Sequence, residues 1–116
     1  MDIVEKTAEY LSPLNVPCAY LMRPKESLCV SYHFFNEDGE LYGDGLPIIS
    51  GGSLQIDIFG KKTVAVRKLR KQAIDLLTKQ NEILFVKTTP DDMSYEDDVK
   101  LYHQVVVFYF YYEEVN

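Results

Sequence analysis

The sequence predicts an α+β fold: an antiparallel or mixed five-strand sheet with two helices packed on one face. Three observations predict it. Two segments carry apolar residues at helical spacing, and five runs read as strands, those at 28–35 and 53–59 by period-two placement of their apolar residues. The strands fall in groups, three before the second helix and two after it, giving the order αβββαββ. Grouped strands with short links favour a layered α+β domain over strands that alternate singly with helices.

The first helix is read over 2–12. Asp2 is placed to cap it, Glu5 follows three residues later, and Ile3, Val4, Thr7, Ala8 and Leu11 form an apolar stripe. Pro13 ends it, because the residue before a proline is pushed out of the helical region. Strands follow at 16–22 and 28–35, joined by a link that suits a hairpin. The second has Leu28, Val30, Tyr32 and Phe34 on one face and Cys29, Ser31, His33 and Phe35 on the other. Residues 36–52 read as a long loop, rich in Gly, Asp and Asn, with Pro47. The strand at 53–59 places Leu54, Ile56 and Ile58 opposite Ser53, Gln55 and Asp57. The second helix, over 63–80, takes Thr63 as N-cap, buries Val66, Leu69, Ala73, Leu76 and Leu77, and stops at a left-handed Asn81. A short strand at 83–88, a polar loop at 90–100 and a long last strand at 101–113 complete the order.

At 116 residues the chain suits one domain, spanning 1–116, whose folding buries roughly two-thirds of the unfolded surface. Cys18 and Cys29 have neither a CxxC pairing nor a His cluster beside them, so free thiols are expected and zinc is not. Residues 1–14 are charged and amphipathic and do not read as a signal peptide. The longest apolar run, 105–112, is far short of the ~20 residues that a membrane helix needs. The net charge of −6 argues against free duplex DNA as a partner. That charge is polarised: 61–79 holds seven bases and one acid, +6, which leaves −12 for the rest.

The last strand poses the main question. Val106, Phe108, Phe110 and Tyr112 make a core face; Val105, Val107, Tyr109 and Tyr111 make a second face too apolar for open water. Either the chain's own segments cover it or a partner does, and a tyrosine-lined face favours a partner. The basic helix flank (Lys61, Arg67, Arg70, Lys71) is read as an ordinary solvated face, a contact with another copy, or a nucleic-acid contact.

Catalytic constellations are not evident. His33 and His103 lack a visible orienting partner and cleft, and are read as packing or surface residues. Asp57 is read as belonging to an interface or solvent face. The glycines at 39–45 lack the Gly-Lys-Ser/Thr ending of a phosphate loop, and the acids at 91–98 lack the pattern of an EF-hand. No enzyme activity, cofactor or metal is expected.

Two stretches carry a family resemblance. Ser53-Leu54-Gln55-Ile56-Asp57-Ile58-Phe59-Gly60-Lys61 precedes the long helix, and an acidic loop leads into Leu101-Tyr102-His103 and an apolar strand. Together with Tyr42, Asp44-Gly45 and Pro47 before them, these resemble tail-terminator, or tail-completion, proteins of long-tailed phages and Gram-positive prophages. Val107 departs from the basic residue common in that family. The resemblance implies a ring, typically hexameric, of subunits that can be monomeric when free. The ring would cap the tail tube, contact tail-tube and head-completion proteins, and let DNA pass through its lumen. It implies assembly in the host cytoplasm and residence in the virion. The implied contact residues are Tyr42, Asp44, Gln55, Asp57 and Lys61, the flank Arg67, Arg70 and Lys71, and Tyr102 and His103. Tyr109 and Tyr111 join them from the second face. A neck or head-completion protein and a host nucleic-acid-binding module are the alternatives.

Overall fold

The computed structural model describes residues 2–41, 48–88 and 92–114, with 36–41, 48–50, 84, 85, 87, 88 and 112–114 described by backbone alone. Helix α1 (Ile3–Leu11) begins where Asp2 accepts the Glu5 N–H at 2.8 Å, and a 3₁₀ turn (Ser12–Leu14) ends it at the proline. Strands β1 (Cys18–Tyr20), β2 (Cys29–Leu41) and β3 (Ile48–Gly60) lead to helix α2 (Thr63–Leu77), then to β4 (Ile83–Thr88), β5 (Ser94–Glu96) and β6 (Leu101–Glu114). The sheet runs β1-β2-β3-β6-β4, with β5 added to β6. It is a five-strand mixed sheet with a short sixth segment, in the predicted order.

Helix α1, helix α2 and one sheet face enclose the core. From β3 come Leu54, Ile56 and Ile58, from β6 Val106, Phe108 and Phe110, and from α2 Val66, Ala73 and Leu77, each with no solvent exposure. The helical and strand periodicities thus meet at one seam. Gly60 permits it: a Cβ there would come within 2.8 Å of Val66 and 3.1 Å of Leu28. A second tie closes the other end of the helix layer. Glu82, in the turn after α2, accepts from Lys6 Nζ at 3.2 Å and from Tyr10 Oη at 3.0 Å. Burial, together with that acceptor, pushes the Tyr10 phenol up to about 12.

Several expectations are corrected. β1 and β2 pair parallel, not as a hairpin, with Cys18 opposite Val30. β1 is only three residues long, so the chain returns to the start of β2 through 21–28 with Leu21 in a left-handed conformation (φ 67°). The cysteines need no correction: both are free, as expected, and burial raises the Cys18 thiol to about 11. The 36–52 loop is mostly strand: β2 extends to Leu41 and β3 starts at Ile48. Glycine is accepted there because Gly51 lies beneath Tyr111, whose ring a Cβ would meet at 2.7 Å. Tyr42, Gly43, Asp44, Gly45 and Pro47 lie outside the described residues, as does Asp91. Thr63 is the first residue of α2, with Lys62 at its cap, and Asn81 is not left-handed. The 90–100 segment contains β5.

Candidate functional site

The face of the sheet opposite the helices is built by alternation. Ser31, His33 and Phe35 come from β2, Ser53, Gln55, Asp57 and Phe59 from β3, and His103, Val105, Val107, Tyr109 and Tyr111 from β6. Register sets their neighbours: Phe59 lies between Cys29 and His103, Asp57 between Ser31 and Val105, and Gln55 between His33 and Val107. This face has two ends.

At one end the chain's own segments close in. Over β2, the Cys29 Sγ is 4.0 Å from the Pro24 carbonyl, and Cys29 is fully buried. The Arg23 guanidinium stands 5.8 Å from the centre of the Phe59 ring. His103 stacks on that ring, with centroids 4.4 Å apart and planes 9° from parallel. The imidazole then bridges two acids: Nε2 is 2.8 Å from Asp57 Oδ1, and Nδ1 is 3.0 Å from Glu96 Oε1. Asp57 also accepts from Gln55 Nε2 at 3.1 and 3.2 Å, and His33 Nδ1 lies 3.9 Å from its other oxygen. Burial pulls the imidazole of His103 down, but the hydrogen bonds to Asp57 and Glu96 and their charges outweigh it and raise it above its ordinary value.

The reading of His103 as a residue without an orienting partner is therefore corrected. Asp57, which the alternation put on this face, orients it from β3, and Glu96 does so from β5. The sequence did not mark Glu96, which stood as one acid among several. Its signal lay in the spacing Ser-Tyr-Glu, four turn residues, Leu-Tyr-His, which pairs Ser94 with His103 and Glu96 with Leu101. Chemically the arrangement holds a charge. Both ring nitrogens face carboxylates, so neither is presented to a substrate. Cavities of about 220 and 280 Å³ lie on the helix side instead, around Leu14 and Gln72. Among the described residues no group of three or more His, Cys, Asp or Glu is placed to hold a metal ion.

The other end is more open and more apolar. Val105, Val107 and Tyr109 are half-buried, and Tyr111 is 37% exposed. Among the described residues no helix lies over them. The remaining predicted contact residues fall elsewhere. Tyr102 points to the helix side of β6, packing against the core and edge-on to Tyr95 at 5.0 Å, so it does not share a face with His103. Lys61, Arg67 and Lys71 are exposed on or beside α2. Arg70 is half-buried, and its Nε and Nη2 are sealed from solvent with no acceptor among the described residues. The structure thus gathers Gln55, Asp57, His103, Tyr109 and Tyr111 on one face and leaves the basic flank on the opposite layer. No described helix is long and apolar enough to cross a membrane.

The architecture defines an α+β fold with a mixed sheet, helices on one side and a tyrosine-bearing face on the other. No family model matches the sequence, and no curated protein matches it. Among solved structures, a chain from the virion of a native gene transfer agent particle is similar to it, with a TM-score of 0.62. The two share 12% sequence identity over 93% of this chain and 92% of that one, so the likeness is one of fold.

Proposed function

We propose that this chain is a virion structural protein that assembles with copies of itself into a ring, caps a phage-type tail tube and joins it to the head, without a catalytic part. The observation that carries the reading is the open end of the sheet, where Val105, Val107 and the exposed Tyr111 form an apolar strip with a polar rim. Such strips are the usual material of protein contacts, since tyrosine is tolerated by water and stabilises an interface once covered. The shared fold with a chain of a phage-like particle supports the same reading, as does the resemblance of 53–61 and of the run into His103. The polarised charge, basic on α2 and acidic elsewhere, suits head-to-tail contact between copies, the geometry that closes rings.

The test is assembly. The purified chain, added to tail tubes, should sediment with them as a multi-copy complex. Tyr109→Asp with Tyr111→Asp should leave a folded monomer that no longer does so. Unchanged assembly of the double variant removes the open face from the contact. Co-sedimentation with heads and not with tubes would move the reading to a neck or head-completion protein. The exposed Arg67 and Lys71 favour a second reading, nucleic-acid binding through α2. A salt-dependent mobility shift that is lost in Arg67→Glu/Arg70→Glu would support that one.

A further inference from the structure

β5 is a three-residue strand held on the outer edge of β6, the same edge that β4 occupies further along. Its backbone ties are few. The Lys100 N–H donates to the Glu96 carbonyl at 2.7 Å across the turn, and Lys100 itself is left-handed (φ 56°). Ser94 Oγ donates to the His103 carbonyl at 3.2 Å. A segment this short is marginal by its ladder alone, so its side-chain ties matter: the edge-on contact of Tyr95 with Tyr102 on one face and, on the other, the bond between Glu96 and His103, the tie among them that a proton can switch.

We propose that His103 is a proton-operated latch: protonated, it ties Glu96 to Asp57 and shuts β5 against β6, and on losing a proton it releases Glu96 and frees the β6 edge at 101–103. An ionised carboxylate only accepts hydrogen bonds, and a neutral imidazole has one N–H. The two bonds, at 2.8 and 3.0 Å, are therefore both made only by the imidazolium. When one proton leaves, burial decides which bond survives. The Asp57 side chain is 13% exposed and already fixed by Gln55, whereas that of Glu96 is 45% exposed. Water can replace the partner of Glu96 but not that of Asp57. The remaining N–H stays on Nε2 toward Asp57, and the bare Nδ1 then faces the Glu96 carboxylate, lone pair to lone pair.

The charged surroundings agree in sign. Asp57 on β3 and Glu96 on β5 favour the charged ring. Arg23, across Phe59, opposes it, and His33 on β2 lies 3.9 Å from the far oxygen of Asp57. Asp97, Asp98 and Lys100 of the turn are exposed and largely screened. The two acids that touch the ring outweigh its burial. An edge freed at 101–103 adjoins the edge that β4 already covers, and unpaired strand edges are templates for a strand from another chain.

Side-chain NMR of His103 in the full chain, followed from pH 5.5 to 9 with amide exchange corrected for intrinsic rates, tests the latch. Protection at 94–96, Lys100 and 101–103 should fall about tenfold across the His103 titration, the loss of one charge-assisted bond. Glu96→Gln should remove that step, because a glutamine amide can donate to the bare Nδ1 and keep the clip shut at both ends of the range. His103→Gln should remove it as well. A protection profile that is flat through the His103 midpoint, or a step that persists in Glu96→Gln, overturns the proposal.

Discussion

The two faces of β6 differ more than any two regions of the molecule, although their residues alternate along one strand. Val106, Phe108 and Phe110 are sealed under the helices, and Gln104 beside them is almost as buried. His103, Val105, Val107 and Tyr109 on the reverse are only half-buried, and Tyr111 is exposed. The first face answers to volume and shape, as interiors do. The second holds an imidazole tied to two carboxylates of neighbouring strands, and tyrosines, a poorer way to stabilise a fold and a surface suited to the contact proposed above. A single strand therefore separates the core from the proposed contact face by parity.

The sharpest test of that division is a pair of neighbours. Phe108→Ala should cost about 3–5 kcal/mol, because it leaves a cavity between α2 and the sheet; urea denaturation reads this directly. Tyr109→Ala, one residue on, should cost clearly less in the same experiment, and an equal cost would erase the distinction between the faces. Asp57→Ala falls between them, at about 1–3 kcal/mol, since it strips a partner from His103 and from Gln55. Its cost should depend on pH with a definite sign. A raised imidazole contributes stability that is complete below its ordinary value of about 6.5 and is lost as pH rises through the folded value. The gap between the native chain and Asp57→Ala should then narrow toward alkaline pH, and a gap that stays flat or widens would show that Asp57 does not hold a proton on His103 in the fold. Smallest is Asp2→Ala, at about 1 kcal/mol, a loss of the α1 cap that should leave both faces of β6 alone.

Much of the fold was legible because periodicity reports which residues are buried. The stripe Val66, Leu69, Ala73 and Leu77 and the alternation Leu54, Ile56, Ile58 located the core correctly. What local pattern does not encode is pairing direction and the reach of strands through turn-forming residues. The 21–28 segment looks like a hairpin link yet returns the chain for a parallel pair, a choice made by where β1 docks. Gly51 and Gly52 look like loop but sit in β3, opposite Tyr111 and Phe110, and at Gly51 the Tyr111 ring leaves no room for a Cβ. The site was half legible. Alternation put Asp57 and His103 on one face, but their meeting depends on the register of strands more than forty residues apart, and Glu96 sits on a three-residue strand whose signal is spacing rather than periodicity.

The strand between β3 and β4 is β6, the last of the described strands to leave the ribosome. Until it emerges, β3 and β4 have no neighbour between them, and the α2 stripe has only half a floor. Pairings this distant along the chain close slowly, so the nascent chain must wait with apolar edges open, the condition under which chaperones engage. A truncation that removes β6 would therefore do more than shorten the protein: it would leave β3, β4 and β5 without a shared neighbour and α2 without part of the sheet it packs on.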